Sequence, residues 1–256
     1  MRITRLASTI ALLFLLAICT WNLSSCGLCC LMGCLGPEAF LEEVELSVPS
    51  DLGSEGLVFW SNGDGTCYVG GIGDCTDEDI VIPSISPDGD KVTGINDGAF
   101  CDCNSITSIT IPYSVESIGE SAFYNCDGLT SVTLGNGITR IRYGLFYDCD
   151  GLTSITIPDS VRIIDDSAFF SCDSLTSVTI GDSVTSIGCS VFSDCTNLTS
   201  IMIPDSVTEI GWKAFEYCDS LATVNYTGSK RDWAKISIDS DNEALENATI
   251  NYNYVP

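Results

Sequence analysis

Apolar side chains recur through most of this chain at one fixed interval. Phe100, Phe123, Phe146, Phe169, Phe192 and Phe215 stand 23 residues apart. The same step separates Cys103, Cys126, Cys149, Cys172, Cys195 and Cys218, and also Ile106, Leu129, Leu152, Leu175, Leu198 and Leu221. A period between about 20 and 50 residues marks a solenoid, whose units bury their apolar faces only against their neighbours. Within one unit, Val178 and Ile180 alternate with Ser177 and Thr179, the pattern of a half-buried strand. Pro158, Pro204 and Gly181 end that strand, and Val184–Ile187 reads as a second short extended piece. Ala168, Phe169, Cys172 and Leu175 then follow at one- and three-residue steps, which suit a single helical or 3₁₀ turn with these side chains inward. The expected fold is a repeat solenoid: a right-handed coil of short parallel β-strands, with one such turn per repeat and a cap at each end.

Six repeats fill residues 99–226. A weaker period of 46 residues alternates Ile111-Pro112, Ile157-Pro158 and Ile203-Pro204 with Leu134-Gly135 and Ile180-Gly181. Duplication of a two-coil unit accounts for it, and no function attaches to it. Before the repeats, residues 55–98 read as a β cap: Leu57–Trp60 and Thr66–Val69 flank the hairpin signal Ser61–Gly65, and Asp79–Pro83 adds a strand. After them, residues 227–256 form the second cap. There Ser229–Ile236 is a capped helix, Asp239–Asn242 a turn and Ala248–Tyr252 a last strand, with Trp233 expected to plug the final coil.

The first 54 residues stand outside this pattern. Arg2 and Arg5 precede an apolar run from Leu6 to Ile18, so residues 1–25 read as a signal peptide. Leu23-Ser24-Ser25-Cys26 resembles the bacterial lipobox, which makes Cys26 the expected lipidated residue and new N-terminus. Residues 26–54 then serve as anchor and acidic spacer. Because Gly27–Leu35 stays apolar, Leu6–Leu35 also fits an uncleaved signal-anchor helix, with Cys29, Cys30 and Cys34 as palmitoylation candidates. Simple secretion is the third reading. All three export the repeats to the cell surface or beyond it.

Charge and composition narrow the chemistry. The chain has 35 acidic and 10 basic residues, a formal net charge of −25. Phosphate backbones repel such a surface, so nucleic acid is not an expected partner. The simplest role of the acidity is solubility. There is no histidine, which removes the commonest general base, the usual metal ligand and every histidine-containing triad. No serine has a base to activate it, and no catalytic residue, metal or cofactor is expected.

The repeat unit, A-F-x-x-C-x-x-L-T-S-V-T-I-P-x-S-V-T-S-I-G, resembles the BspA-type leucine-rich repeat across about half of the chain. Gly70–Asp77, Asp79–Pro83, Asp232–Ile236 and Asn242–Leu245 resemble the flanks of such arrays. The resemblance implies a surface protein of host-associated bacteria, with relatives in parasitic protists. Some members are adhesins for extracellular-matrix and plasma proteins or act in cell–cell aggregation. It brings no catalytic motif, cofactor or fixed binding position. The partner it implies is an extracellular protein or glycan, with the membrane reached through the N-terminal lipid or anchor. A passive spacer or envelope component is the alternative.

Several side chains stand out against the repeat. The cysteine column reads as buried free thiols filling the turn, because in-register stacking about 4.8 Å apart rarely supplies disulfide geometry. A Cys67–Cys75 pair inside the first cap is a further option, and Cys189 is expected to face solvent. Asp127, Asp150, Asp173 and Asp219 follow the column cysteine and read as turn residues bonded to their own turns, or else as a cation site. Asn62–Gly65 resembles half of a calcium loop and lacks the distal ligands. Tyr124, Tyr147 and Phe170 share one position in successive coils and predict an exposed aromatic strip, either an interface anchor or lateral packing alone. Arg140, Arg142 and Arg162 make the one basic spot, with Arg142 expected to pair with Asp165 across coils. The strand face presents Ser108/Thr110, Ser131/Thr133, Ser154/Thr156 and Ser177/Thr179, an adhesive surface or simple strand chemistry.

Overall fold

The computed structural model describes residues 53–255. The signal segment, the lipobox with Cys26, and Cys29, Cys30 and Cys34 lie outside the described residues. The first strands are β1 (Val58–Ser61), β2 (Thr66–Gly71), β3 (Asp79–Val81) and β4 (Lys91–Ile95). Each repeat then supplies a longer strand followed by a two-residue one. These are β5 (Ser108–Thr110) and β6 (Ser117–Ile118), β7 (Ser131–Thr133) and β8 (Arg140–Ile141), and β9 (Ser154–Thr156) and β10 (Ile163–Ile164). They continue with β11 (Ser177–Thr179), β12 (Ser186–Ile187), β13 (Ser200–Ile203) and β14 (Glu209–Ile210). The described chain closes with β15 (Thr223–Tyr226), α1 (Lys230–Trp233), β16 (Ser237–Ile238), α2 (Glu243–Asn247) and β17 (Thr249–Asn251).

Stacking sets the register. Val178 pairs with Ile155 on one side and Ile201 on the other, each a shift of one repeat, in a parallel sheet. Their side chains turn inward and are buried, while the flanking Ser and Thr stay partly or fully exposed. The coil is the expected solenoid of strand, corner, short strand and turn. At the N-terminal end, β1 and β2 form an antiparallel hairpin, β2 and β4 run on into β6, and β3 pairs with β5. At the other end β16 adds to β14 and β17 to β15. Trp233 packs edge-on against the buried Tyr226, ring centroids 5.0 Å apart.

The third side of each coil carries the phenylalanine. All six rings are 0 % exposed and stack at centroid distances of 5.3–5.4 Å. From Cys126 onward each column thiol donates to the carbonyl of the phenylalanine one coil back: Cys126 to Phe100 at 3.0 Å, Cys149 to Phe123 at 3.0 Å and Cys172 to Phe146 at 3.1 Å. Cys195 and Cys218 repeat the contact at 3.1 and 2.9 Å, whereas Cys103 faces the Cys101 carbonyl at 3.7 Å. Burial raises the Cys172 thiol well above its usual range and Cys218 to about 12, so both remain protonated donors at neutral pH. The small apolar filler is thus also a latch between coils, and the described cysteines are free, Cys67 and Cys75 included. Cys189 is half-buried rather than solvent-facing.

The expected helical turn is a pair of tight turns that does not propagate. Left-handed residues bracket each phenylalanine two positions away, as Ser121 (φ 54) and Asn125 (φ 55) do around Phe123. Left-handed backbone ends a right-handed helix, and Ser, Asn, Asp and Gly dominate these sites. Gly144 (φ 58) takes the place in its coil. The bracketed segment builds a third hydrogen-bonded ladder: Ser121, Phe123 and Asn125 amides donate to Tyr143, Leu145 and Tyr147 carbonyls at 3.0, 3.0 and 2.8 Å.

One joint between coils is open. The two strand ladders each divide into two sheets, β3-β5-β7 from β9 onward and β1-β2-β4-β6 from β8 onward. Elsewhere Ile111 donates to Thr133, Ile157 to Thr179 and Asp165 to Ile141 at 2.8–2.9 Å. No equivalent bond runs from Leu134 to Thr156 or from Arg142 to Ile118 among the described residues. Val132 and Leu134 are only half-buried there, unlike Ile109, Ile155 and Ile157. The turn ladder stays closed across this joint, so the coils part on their strand sides alone. A Cβ at Gly119, Gly188 or Gly211 would lie 2.2, 2.5 or 2.7 Å from the preceding coil. Arg142 carries a side chain at that corner and holds its coil off. Asp165 also replaces the glycine, but there a two-pronged bond from Arg140 draws the coils together.

The same packing explains the 46-residue period. A Cβ at Gly135 would lie 2.5 Å from the Pro112 oxygen, and one at Gly181 2.6 Å from the Pro158 carbonyl carbon. Glycine at these two corners makes room for the proline-bearing corner of the coil before it.

Within the aspartate column, Asp173 is bonded across coils, not within its own turn as expected. Asp127 N–H donates to Asn104 at 3.0 Å and the Thr196 hydroxyl to Asp173 at 3.2 Å. Partial burial, followed by the charges of Asp173, Asp148 and Asp127, raises the Asp150 carboxyl above its ordinary value. An acid whose folded pKa is raised binds protons more tightly when folded, so its ionisation costs stability as pH rises. Asp150→Asn is therefore expected to raise the melting temperature by about 1–2 °C at pH 7 and to have no effect below the carboxylate range, as thermal scans across pH would show. Cys172→Ala is expected to cost about 1–2 kcal/mol in denaturant unfolding, whereas reductant leaves the wild-type midpoint unchanged. Hydrogen exchange tests the joint: amides of Leu134, Thr139, Arg142 and Thr153 should exchange faster than their bonded counterparts at Ile157, Arg162, Asp165 and Thr176.

Candidate binding surface

Outward positions on this scaffold are dictated by the residue following each inward one. Tyr124, Tyr147 and Phe170 follow the column phenylalanines and so point away from the core. The structure brings them together as a ladder, with centroids 5.1 and 4.7 Å apart and planes within 21°. They are half-buried rather than fully exposed, because each ring covers its neighbour's face and leaves an edge to solvent. Partial burial, then the adjoining Tyr124, raises the Tyr147 phenol above its usual range. The ladder ends at the buried Ser193.

The basic spot is arranged differently from the expectation. Arg140, not Arg142, pairs with Asp165, through Nε at 2.6 Å and a terminal nitrogen at 2.5 Å. Arg140 projects from β8 opposite Ile163, and Asp165 is the diagonal neighbour two residues on. This pairing raises the Arg140 pKa further above its ordinary value. Arg142 and Arg162 are exposed and make no ion pair among the described residues. Two guanidinium groups are thus left unneutralised in an acidic protein, on the coils that also carry Tyr147 and Phe170.

The open joint creates two clefts. One of about 500 Å³ lies between β7 and β9, lined by Val132, Leu134 and Ile155 with the hydroxyls of Ser131, Thr133 and Thr156. The other, about 450 Å³, lies on the short-strand side between Trp60, Tyr68, Asn96, Asp97, Ser117 and Arg142. Trp60 and Tyr68 escaped the sequence reading, which assigned the hairpin to capping alone. Their signal was Gly70 and Gly94, strand glycines on which the two rings lie: a Cβ at either would fall 2.8 or 2.2 Å from the ring. Among the described residues no cluster of three or more Asp, Glu or Cys side chains is placed to hold a metal ion. No helix among them is long and apolar enough to cross a membrane.

Comparison with known proteins agrees with this architecture. A leucine-rich-repeat protein of T. pallidum is 25% identical and superposes with a TM-score of 0.61, covering 78% of this chain and 97% of its own. A leucine-rich cell surface protein of Faecalibacterium prausnitzii A2-165 is 29% identical, with a TM-score of 0.53 over 73% of this chain. Only 42% of that protein is matched, so this chain spans less than half its length. No curated protein matches. Such repeats are typical of bacterial surface proteins, and the scaffold is generally a non-enzymatic one for protein interaction. Six copies of the BspA type leucine rich repeat region match residues 93–222, just over half of the sequence, and the chain belongs to that family.

Proposed function

We propose that this is an exported, lipid-anchored surface protein that binds an extracellular protein or glycan through its repeat surface. In this reading residues 1–25 are removed, Cys26 carries the lipid, residues 26–54 hold the solenoid off the membrane, and caps at 55–98 and 227–256 close the six repeats. The observation that carries it is the pair of unneutralised guanidinium groups, Arg142 and Arg162, on coils that also present the aromatic ladder. Aromatic and arginine side chains supply most of the energy in protein interfaces. A long-range repulsion from the −25 charge keeps unrelated acidic surfaces away, while the local basic spot selects a partner with a matching anionic patch. No group on this surface supports bond-making chemistry. The three-ring ladder can contribute edge contacts without repacking, since its internal stacking already holds the rings in place.

Two triple variants test this, Arg140→Ser/Arg142→Ser/Arg162→Ser and Tyr124→Ser/Tyr147→Ser/Phe170→Ser. Both should fold, by circular dichroism, and each should weaken binding to immobilised extracellular-matrix or plasma proteins by about tenfold or more. Unchanged binding in both would overturn the assignment to this surface, and absence of binding by the wild type would leave the passive spacer.

A further inference from the structure

We propose that the cleft beside Trp60 is a binding site for a neutral pyranose ring of a glycan. This deepens the surface-binding reading and rests on it for access to such a ligand. Trp60 is 59 % exposed, and the side of its indole facing Gly70 lies against the sheet. Tyr68, its cross-strand neighbour, lies over Gly94 in the same way. Two rings packed against strand glycines, Trp60 largely exposed and Tyr68 half-buried, form a platform rather than a core. A pyranose presents one face of C–H groups, which packs on the electron-rich face of an aromatic ring.

The rim of the cleft supplies the polar half of the recognition. The row from Tyr68 passes through Gly94 to Ser117 and stops at the open joint, beyond which stands Arg142. Asp97 accepts the Glu120 amide at 2.8 Å through one oxygen, which fixes the carboxylate, and the other oxygen has no hydrogen bond among the described residues. Asn96 adds an amide beside it. The Arg142 guanidinium can donate a pair of bonds to neighbouring sugar hydroxyls, and the open Asp97 oxygen can accept a further one. A purely apolar ligand would cover Asp97 and Arg142 without partners, a costly desolvation. An anionic sugar would meet Asp97 at the site and the overall −25 charge on approach. The volume of about 450 Å³ lies within the range of small-ligand clefts, about 300–1,000 Å³.

Isothermal titration of the purified full chain tests this with maltohexaose, cellohexaose, chitohexaose, mannohexaose and sialyllactose as probes. At least one neutral oligosaccharide should bind, with Trp60→Ala and Tyr68→Ala each weakening it tenfold or more and Arg142→Ser about threefold or more. Thermal melts of the variants should match wild type. The Tyr124→Ser/Tyr147→Ser/Phe170→Ser variant should retain the sugar affinity, which separates this site from the aromatic ladder. Binding of no neutral probe, binding of sialyllactose alone, or full affinity in Trp60→Ala each overturns the proposal. Sugar binding that fails while adhesion to immobilised proteins persists would leave the broader surface role standing.

Discussion

The coil-to-coil stack of buried phenylalanines is the constraint on which the rest depends. Each ring stacks on its neighbours within the core it shares with the inward Leu, Ile and Val side chains, and truncating one to alanine would remove about 3–5 kcal/mol of packing. The backbone around each ring must therefore stay in register to one residue over every repeat. The left-handed residues on either side shape the chain around the ring, and the cysteine thiol closes the gap by donating to the carbonyl one coil back. Ring, turn and thiol form one unit, and its repetition produces the fold.

Because the turn side is held in this way, the strand sides have freedom that the protein uses once. Between the coils of Gly119 and Arg142 the turn ladder continues while both strand ladders stop. Arg142 puts a side chain at a corner that is glycine in most repeats, without the Arg140 bond that draws in Asp165 one coil on. The outcome is two clefts beside this joint. Irregularity in a solenoid is where selectivity can reside, since identical coils offer identical contacts.

Much of the architecture was legible because a period of 23 residues is a statement about burial. The inward columns, the two strands per coil and the aromatic ladder follow from spacing alone. Four features did not. The turn's left-handed residues were written as Ser, Asn and Asp, which also fit ordinary turns. Arg142 and Asp165 are equivalent in register, yet Arg140 takes the carboxylate because strand parity and diagonal reach decide the pair. The platform of Trp60 and Tyr68 depends on Gly70 and Gly94 in neighbouring strands, a contact between segments that no local pattern expresses. The open joint likewise needs the distance between coils, which repeats in sequence do not carry.

The fold stands on rings stacked one coil after another, and that contact can be observed in solution. In a deuterated protein with protonated phenylalanine rings, nuclear Overhauser effects should link Phe100 to Phe123 and so on stepwise to Phe215. Each ring should contact only those 23 residues away, across the open joint as elsewhere. Rings without these sequential contacts, or rings accessible to a solvent relaxation agent, would contradict it.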